Sequence, residues 1–157
     1  MTFDKIDLEL LALIQQNASL SVDELASRVG LTKTPCWRRI QRLEKSGVIR
    51  KRVALLNADL LDLGVSVFVQ VKTNQHNTAW LQEFSRIVSG FPEVVDFFRM
   101  AGEYDYLLRV LVKDIKAYDD FYQRFINATS LSDVNSNFSM EQIKSTTELP
   151  LPGLPKT

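Results

Sequence analysis

Cysteine occurs once in the 157-residue chain, as Cys36, and histidine once, as His76. A lone thiol forms no internal disulfide, and one Cys with one His falls short of a zinc ligand set, so no disulfide, metal or cofactor is expected. Glycine (6) and proline (5) are scarce while 45% of residues are hydrophobic and 24% charged, which excludes fibrous and disordered classes. Apolar runs are short as well. Tyr106-Leu107-Leu108 stops at Arg109, far below the roughly 18 residues of a bilayer span, and no basic-then-apolar leader opens the sequence. A cytoplasmic protein is expected. The length suits one ordinary domain or two small ones that lean on each other or on a partner chain, since each buries at most about two-thirds of its unfolded surface.

Formal net charge is zero, but the zero averages unlike parts. Residues 1–27 carry −4; residues 28–52 carry +8, from Arg28, Lys33, Arg38, Arg39, Arg42, Lys45, Arg50, Lys51 and Arg52 against Glu44; the remainder returns to −4. A basic block inside an acidic chain is the electrostatic footprint of a polyanion contact, although a solvated basic helix has the same charge.

Ile6, Leu10, Leu13 and Ile14 form one helical stripe, with Asp4 and Asp7 suited to the first turn. Ser21 and Glu24 have capping-box spacing before a short helix that ends near Val29, and Gly30 suits a left-handed exit. A third helix follows, capped by Thr32 or Thr34, with Pro35 in its first turn and Gly47 at its end. Two short helices across a glycine-containing turn are a helix-turn-helix.

On the third helix Cys36, Ile40 and Leu43 share one side; Thr34, Arg38, Gln41, Arg42 and Lys45 share the other. Cations and an amide are the groups that read base edges or grip phosphates in a major groove. Trp37 stands on one flank, where packing on the first helix and an outward role are both open. Arg39 stands on the flank nearer the core, where a salt bridge is expected. Cys36 is read as packing. Val48 to Leu56 alternates like a strand, and Arg50, Lys51 and Arg52 would make it a wing along the phosphate backbone.

After Asn57 to Leu63 and Gly64, the period changes to two. Val65, Val67, Val69 and Val71 predict a strand; Trp80, Phe84, Ile87 and Val88 predict a helix; Val94–Met100 and Asp105–Val112 predict two strands joined through Ala101-Gly102-Glu103-Tyr104. Asp114 can cap a helix with Ile115, Tyr118, Tyr122 and Phe125 on its stripe, and Val134–Ile143 is expected to be the last strand. The order β-α-β-β-α-β is the split βαβ plan, with both helices on one side of the sheet. The strands are apolar on both faces, with Phe68, Phe97, Phe98 and Met100 among them. A homodimer, or a larger closed assembly, is therefore expected to cover the open face.

The stretch Gly30 to Gly47, centred on Thr32-Lys33-Thr34-Pro35-Cys36-Trp37-Arg38-Arg39-Ile40-Gln41-Arg42-Leu43 and followed by Ala54-Leu55-Leu56-Asn57, resembles the helix-turn-helix of the leucine-responsive and asparagine regulators, the Lrp/AsnC or feast/famine family. Ala101-Gly102-Glu103-Tyr104-Asp105-Tyr106-Leu107 resembles that family's effector-sensing motif, so the likeness spans nearly the whole chain. Thr34-Pro35-Cys36-Trp37, Met100 to Tyr106 and Met140-Glu141-Gln142-Ile143-Lys144 are similar to its enterobacterial cysteine-detoxification subgroup.

The resemblance implies an α+β chain: a winged helix-turn-helix at residues 1–56, a linker at 57–63, a ferredoxin-like effector-sensing and oligomerisation domain at 64–144, and a tail at 145–157. It implies a DNA surface of Thr32, Lys33, Thr34, Trp37, Arg38, Gln41, Arg42, Lys45, Arg50 and Lys51. It also implies an amino-acid pocket, with cysteine a candidate occupant, formed by Met100, Ala101, Gly102, Glu103, Tyr104, Asp105 and Tyr106, with Ser132, Asp133, Val134 and Ser136 from a neighbouring subunit. Dimers would assemble to tetramers or octamers. An α-amino acid needs backbone donors for its carboxylate and an acceptor for its ammonium, and a glycine-containing turn with Asp105 or Asp133 can supply both. The competing reading is that Gly102 serves hairpin geometry and Asp105 caps the turn.

Two other functions compete, an enzyme or ligand module on a ferredoxin-like domain and an oligomeric sensor acting by protein contact. Against an enzyme, His76 lies in a polar loop with no nucleophile placed beside it, and the adjacent Asp119 and Asp120 diverge on a helix. The tail, with Pro150, Pro152 and Pro155, cannot be helical and is expected to be frayed or to lie on a neighbour.

Overall fold

A computed structural model describes residues 2–154. The chain divides into two compact units, Met1–Leu55 with Lys144–Thr157, and Leu56–Ile143. No helix among the described residues is long and apolar enough to cross a membrane.

The first unit contains α1 (Lys5–Gln16), α2 (Val22–Arg28) and α3 (Lys33–Lys45). Asp4 is the N-cap of α1: its carboxylate accepts from the Asp7 amide at 2.8 Å, and Asp7 returns the bond to the Asp4 amide at 3.2 Å. The predicted Ser21/Glu24 capping box opens α2. Gly30 (φ 69°) and Gly47 (φ 78°) take the left-handed backbone that ends α2 and α3, where a side chain would be strained. Leu10, Ile14, Leu25, Cys36, Ile40 and Leu43 close one small core, as the helical spacing requires. Thr32 is the N-cap of α3 without a side-chain bond to its first turn.

The wing differs from expectation. Residues 50–57 have no regular secondary structure, and no strand is formed there among the described residues. The stretch has no neighbouring backbone ladder, and Arg52 instead donates to the Ala18 carbonyl and to Glu44, both at 3.1 Å.

The second unit follows the predicted order: β1 (Val65–Lys72), α4 (Thr78–Ser89), β2 (Val94–Arg99), β3 (Tyr106–Val112), α5 (Ile115–Ala128) and β4 (Asp133–Phe138), preceded by a 3₁₀ turn at Asp59–Leu61. The sheet order β2-β3-β1-β4, antiparallel throughout, is that of the ferredoxin-like plan. Asn77 and Asp114 cap the two helices. Val67, Val69, Val71, Leu108 and Val110 point to the helix side, where they meet Phe84, Val88, Phe121 and Phe125.

Three sequence expectations are corrected here. Ile115 is exposed, because the Asp114 cap sets it at the first helical position; the buried stripe is Tyr118, Phe121 and Phe125. Strand β4 ends at Phe138 and not at Ile143, since its partner β1 begins at Val65 and the Ser139 amide takes the last carbonyl, that of Ser66. Phe97 belongs to the helix-side core, so the open face carries Phe68, Phe98 and Leu107 among Gln70, Asn135 and Asn137, with Arg109 paired to Asp96 at 2.7 Å. The tail also takes a course of its own, with Leu149 bonded to Gln15 of α1 and Leu151 packed on the helical core. Pro155 lies outside the described residues.

Candidate nucleic-acid interface and ligand loop

Helix α3 separates its faces sharply. Cys36, Ile40 and Leu43 are at most 3% exposed, whereas Lys33, Thr34, Trp37, Arg38, Arg42 and Lys45 are exposed and Gln41 is half-buried. Trp37, at 51% exposure, takes the outward alternative. Burial raises the Cys36 thiol above its ordinary pKa, which keeps it a neutral packing group.

The helix is held in that orientation from α1. Asp7 is only 1% exposed, yet it accepts from Arg39 at 2.8 Å and from Arg42, while Asp4 accepts from Arg39 at 2.6 Å. Arg39 therefore makes the expected salt bridge, to two carboxylates. Its guanidinium is pushed further up by the hydrogen bonds it donates to Asp4 and then Asp7, and the Asp7 amide, then Arg39, holds the Asp4 carboxyl below its ordinary range. Arg42 divides its capacity. One nitrogen serves Asp7 while the side chain stays 55% exposed, so the remaining donors face solvent.

Lys33 pairs with Asp23 at 2.7 Å, both largely exposed, and Gln41 donates to Glu44 at 3.0 Å. Exposed pairs of this kind are weak and yield to a stronger anion. Arg38, Lys45, Arg50 and Lys51 take part in no ion pair among the described residues. Thr32, Arg50 and Lys51 are exposed as well. Unneutralised cations beside a helix of groove-sized diameter are suited to phosphate and base-edge contact.

In the second unit, Met100–Tyr104 with Tyr106, Leu107 and Gln70 line a cavity of about 250 Å³. Gly102 has φ 148° and open space around it, so the turn exposes backbone that a side chain would cover. Lys72 pairs with Glu103 at 3.4 Å and sits 4.9 Å from the Tyr104 ring centroid. The Tyr104 hydroxyl accepts from Asn135 at 3.3 Å. Asp105 ties the loop to β1: its carboxylate accepts from the Thr73 amide at 2.9 Å and its amide donates to the Val71 carbonyl at 2.9 Å. A second cavity, of about 130 Å³, has Asp105 and Met100 in its wall with His76, Arg99 and the start of α4.

Within one chain, β4 meets this loop through Asn135, while the residues that the resemblance implies from a neighbouring subunit have other partners in their own chain. Val134 packs in the helix-side core, Ser136 bonds to Tyr118, Ser132 donates its amide to the Lys72 carbonyl at 3.0 Å, and Asp133 pairs with Lys72 across the ladder. Asn135, Gln70, Lys72 and the buried role of Asp7 escape a reading by spacing. The first three become neighbours only through sheet register, and Asp7 has the sequence signature of an ordinary first-turn acid.

A basic helix-turn-helix joined to a ferredoxin-like sheet with a glycine-turn cavity defines a DNA-binding regulator of transcription with a ligand-binding domain. Two family descriptions match, winged helix-turn-helix DNA-binding over residues 3–50 and the Lrp/AsnC ligand binding domain over residues 66–149. The chain is 53% identical over 149 residues to the DNA-binding transcriptional activator DecR of Escherichia coli, covering 94% of this chain and 98% of that protein. The crystal structure of an AsnC family transcriptional regulator from Agrobacterium tumefaciens superposes with TM-score 0.92 at 54% identity, covering 94% of this chain and 97% of the other. That of a Neisseria meningitidis transcriptional regulator in complex with L-Met gives 0.91 at 35% identity, covering 96% and 98%. The chain belongs to the Lrp/AsnC family of transcriptional regulators, and the relatives named are themselves regulators of transcription.

Replacing Asp7 with alanine removes the shared acceptor of Arg39 and Arg42, but Arg39 keeps Asp4 and Arg42 is more than half exposed, so chemical unfolding should show the helical unit destabilised by about 2 kcal/mol. The lowered Asp4 pKa contributes stability that is complete above the ordinary carboxylate value of about 4 and is lost as pH falls through the folded-state value. Acid titration of unfolding should therefore show a slope below about pH 4 that Asp4→Asn flattens.

Proposed function

We propose that this chain is a cytoplasmic, homo-oligomeric regulator that binds duplex DNA in pairs of recognition helices and changes its DNA affinity when an amino acid occupies the Met100–Tyr106 turn. The observation that carries the reading is the division of α3 into a closed apolar side and an exposed cationic side. Arg38 and Gln41, at the centre of the polar face with Thr34, are assigned to base edges. Thr32, Lys33, Arg42, Lys45, Arg50 and Lys51 are assigned to phosphates and Trp37 to the rim. The chain carrying Arg50 and Lys51 needs no strand pairing to bring its cations to a phosphate backbone.

Pairing is supported by the uncovered sheet face, where Phe68 and Phe98 are 38% and 52% exposed. A two-fold partner covers both copies of this patch at once and sets two recognition helices on adjacent turns of DNA. Tetramers or octamers of such dimers would bring Ser132, Asp133, Val134 and Ser136 of a neighbouring subunit to the turn. An amino-acid effector is supported by the exposed backbone at Gly102 and by Glu103, Lys72 and Asn135 beside it, which offer both signs of charge to a zwitterion. Met100, Leu107 and the tyrosine rings suit a soft, weakly polar side chain, so cysteine and methionine are the first candidates; the Neisseria relative was crystallised with L-Met.

Arg38→Ala should cost about 2 kcal/mol on a specific site and relax base preference, whereas Lys51→Ala should weaken all sequences alike and reduce the salt slope by about 1. Equal losses for Arg38→Ala on specific and random duplexes would move Arg38 to the phosphate contacts. Titrating L-cysteine and L-methionine with and without bound DNA should give two ligand affinities whose ratio equals the shift in DNA affinity, as linkage demands. Identical ligand affinities in both titrations would remove the coupling.

A further inference from the structure

The apolar residues of α1 do not fit a single stripe. Leu8, Leu10, Leu11, Ala12, Leu13 and Ile14 run almost without interruption, and the core formed with α2 and α3 takes Leu10 and Ile14 at its centre. A helix apolar around most of its circumference needs cover on more than one side.

The C-terminal segment provides it. The side-chain amide of Gln15 bonds to both backbone groups of Leu149, accepting from its amide at 2.9 Å and donating to its carbonyl at 3.1 Å. This two-point grip selects an extended backbone, as a strand ladder does. Gln16 donates to the Glu148 carboxylate at 3.4 Å, and Leu151 packs on the helical core. At Gly153 (φ 80°) the chain turns beside Leu8, whose Cδ1 lies 3.9 Å from where a side-chain carbon would stand. Pro150 and Pro152 fix their own φ and bias the residues before them away from helix, which restricts the segment before docking and lowers the entropy cost of seating it.

The segment that leaves the sheet after β4 therefore belongs to the helical unit. The chain passes from one unit to the other twice, at residues 55–56 and again at 143–144. We propose that the C-terminal segment is a clasp: the outer face of α1 is a docking site for residues 148–153 of its own chain, and the clasp makes the second crossing a working tether, so that the sheet domain restrains the DNA-reading unit at two points. Asp7 lies on the same helix and grips Arg39 and Arg42, so the segment is docked on the element that orients the third helix. The clasp rests on the DNA-reading role of α3, and it is independent of which metabolite is bound.

Full-length Leu151→Asp, with Leu151→Met as the conservative control, tests this without any ligand. Hydrogen exchange should show the α1 amides opening about tenfold faster in Leu151→Asp, the order set by losing one partly buried leucine. Amides of β1 and β3 should be unchanged, and Leu151→Met should match the parent. In the same samples, ¹⁵N relaxation should give α1–α3 a shorter apparent correlation time relative to the sheet in Leu151→Asp alone. Unchanged α1 exchange would show that the segment is not docked; faster exchange with unaltered relaxation would show a docked segment that tethers nothing. Either result overturns the proposal. Duplex binding by the parent chain, measured alongside, reports on the DNA-reading role separately, because neither the exchange nor the relaxation measurement requires DNA.

Discussion

A buried carboxylate gripping two arginines sets the direction in which the third helix presents its exposed cations. Asp7 is removed from water while Arg39 and Arg42 of α3 bring their guanidiniums to it from the neighbouring helix. A charge in that position tolerates little displacement, because a shift of one helix strands the acid without its partners. Apolar packing through Cys36, Ile40 and Leu43 is non-directional and by itself leaves the helix some rotational freedom. The ion pair removes that freedom, and the exposed arc from Thr34 through Arg38 to Lys45 keeps one direction.

The sheet domain is organised by a different constraint. Its helix side is closed by stacked and edge-on aromatic rings, Phe84, Phe91, Phe121 and Phe125 among them, which leaves the opposite face without cover. That face and the Gly102 turn are the two places where the domain leaves apolar side chains and backbone uncovered. Asp105 joins the two halves of this design. By binding the Thr73 amide it fixes the turn to the end of β1, so it serves the hairpin and lines a cavity wall at once.

Much of this was legible in residue order. Two helix starts were written in Ser21 and Asp114, each a local hydrogen-bonding choice between neighbours, whereas Asp4, expected in a first turn, and Asn77, expected in a loop, prove to be caps as well. Strands β1 and β3 were written in alternating valines and leucines. The errors share a cause. Val48–Leu56 alternates like a strand but finds no partner, Ile115 fits the stripe of α5 but falls at its first residue, and β4 stops where β1 begins. Each depends on what lies beside the segment and not on its own composition. The same holds for the ligand loop, where Asn135 and Lys72 reach Tyr104 through register.

Sequence alone determined the order of elements, the two-part organisation, the concentration of positive charge at residues 28–52 and the family, because caps, periodicities and short motifs act between residues a few positions apart. Only the tertiary structure decided that a first-turn aspartate becomes a buried anchor, that Arg39 and Arg42 share it, and that a proline-rich tail returns to α1. Those outcomes bring together residues separated by 32 to 134 positions. At such separations the chain's local preferences are silent, and burial, charge compensation and the closing of exposed apolar surface select the partners.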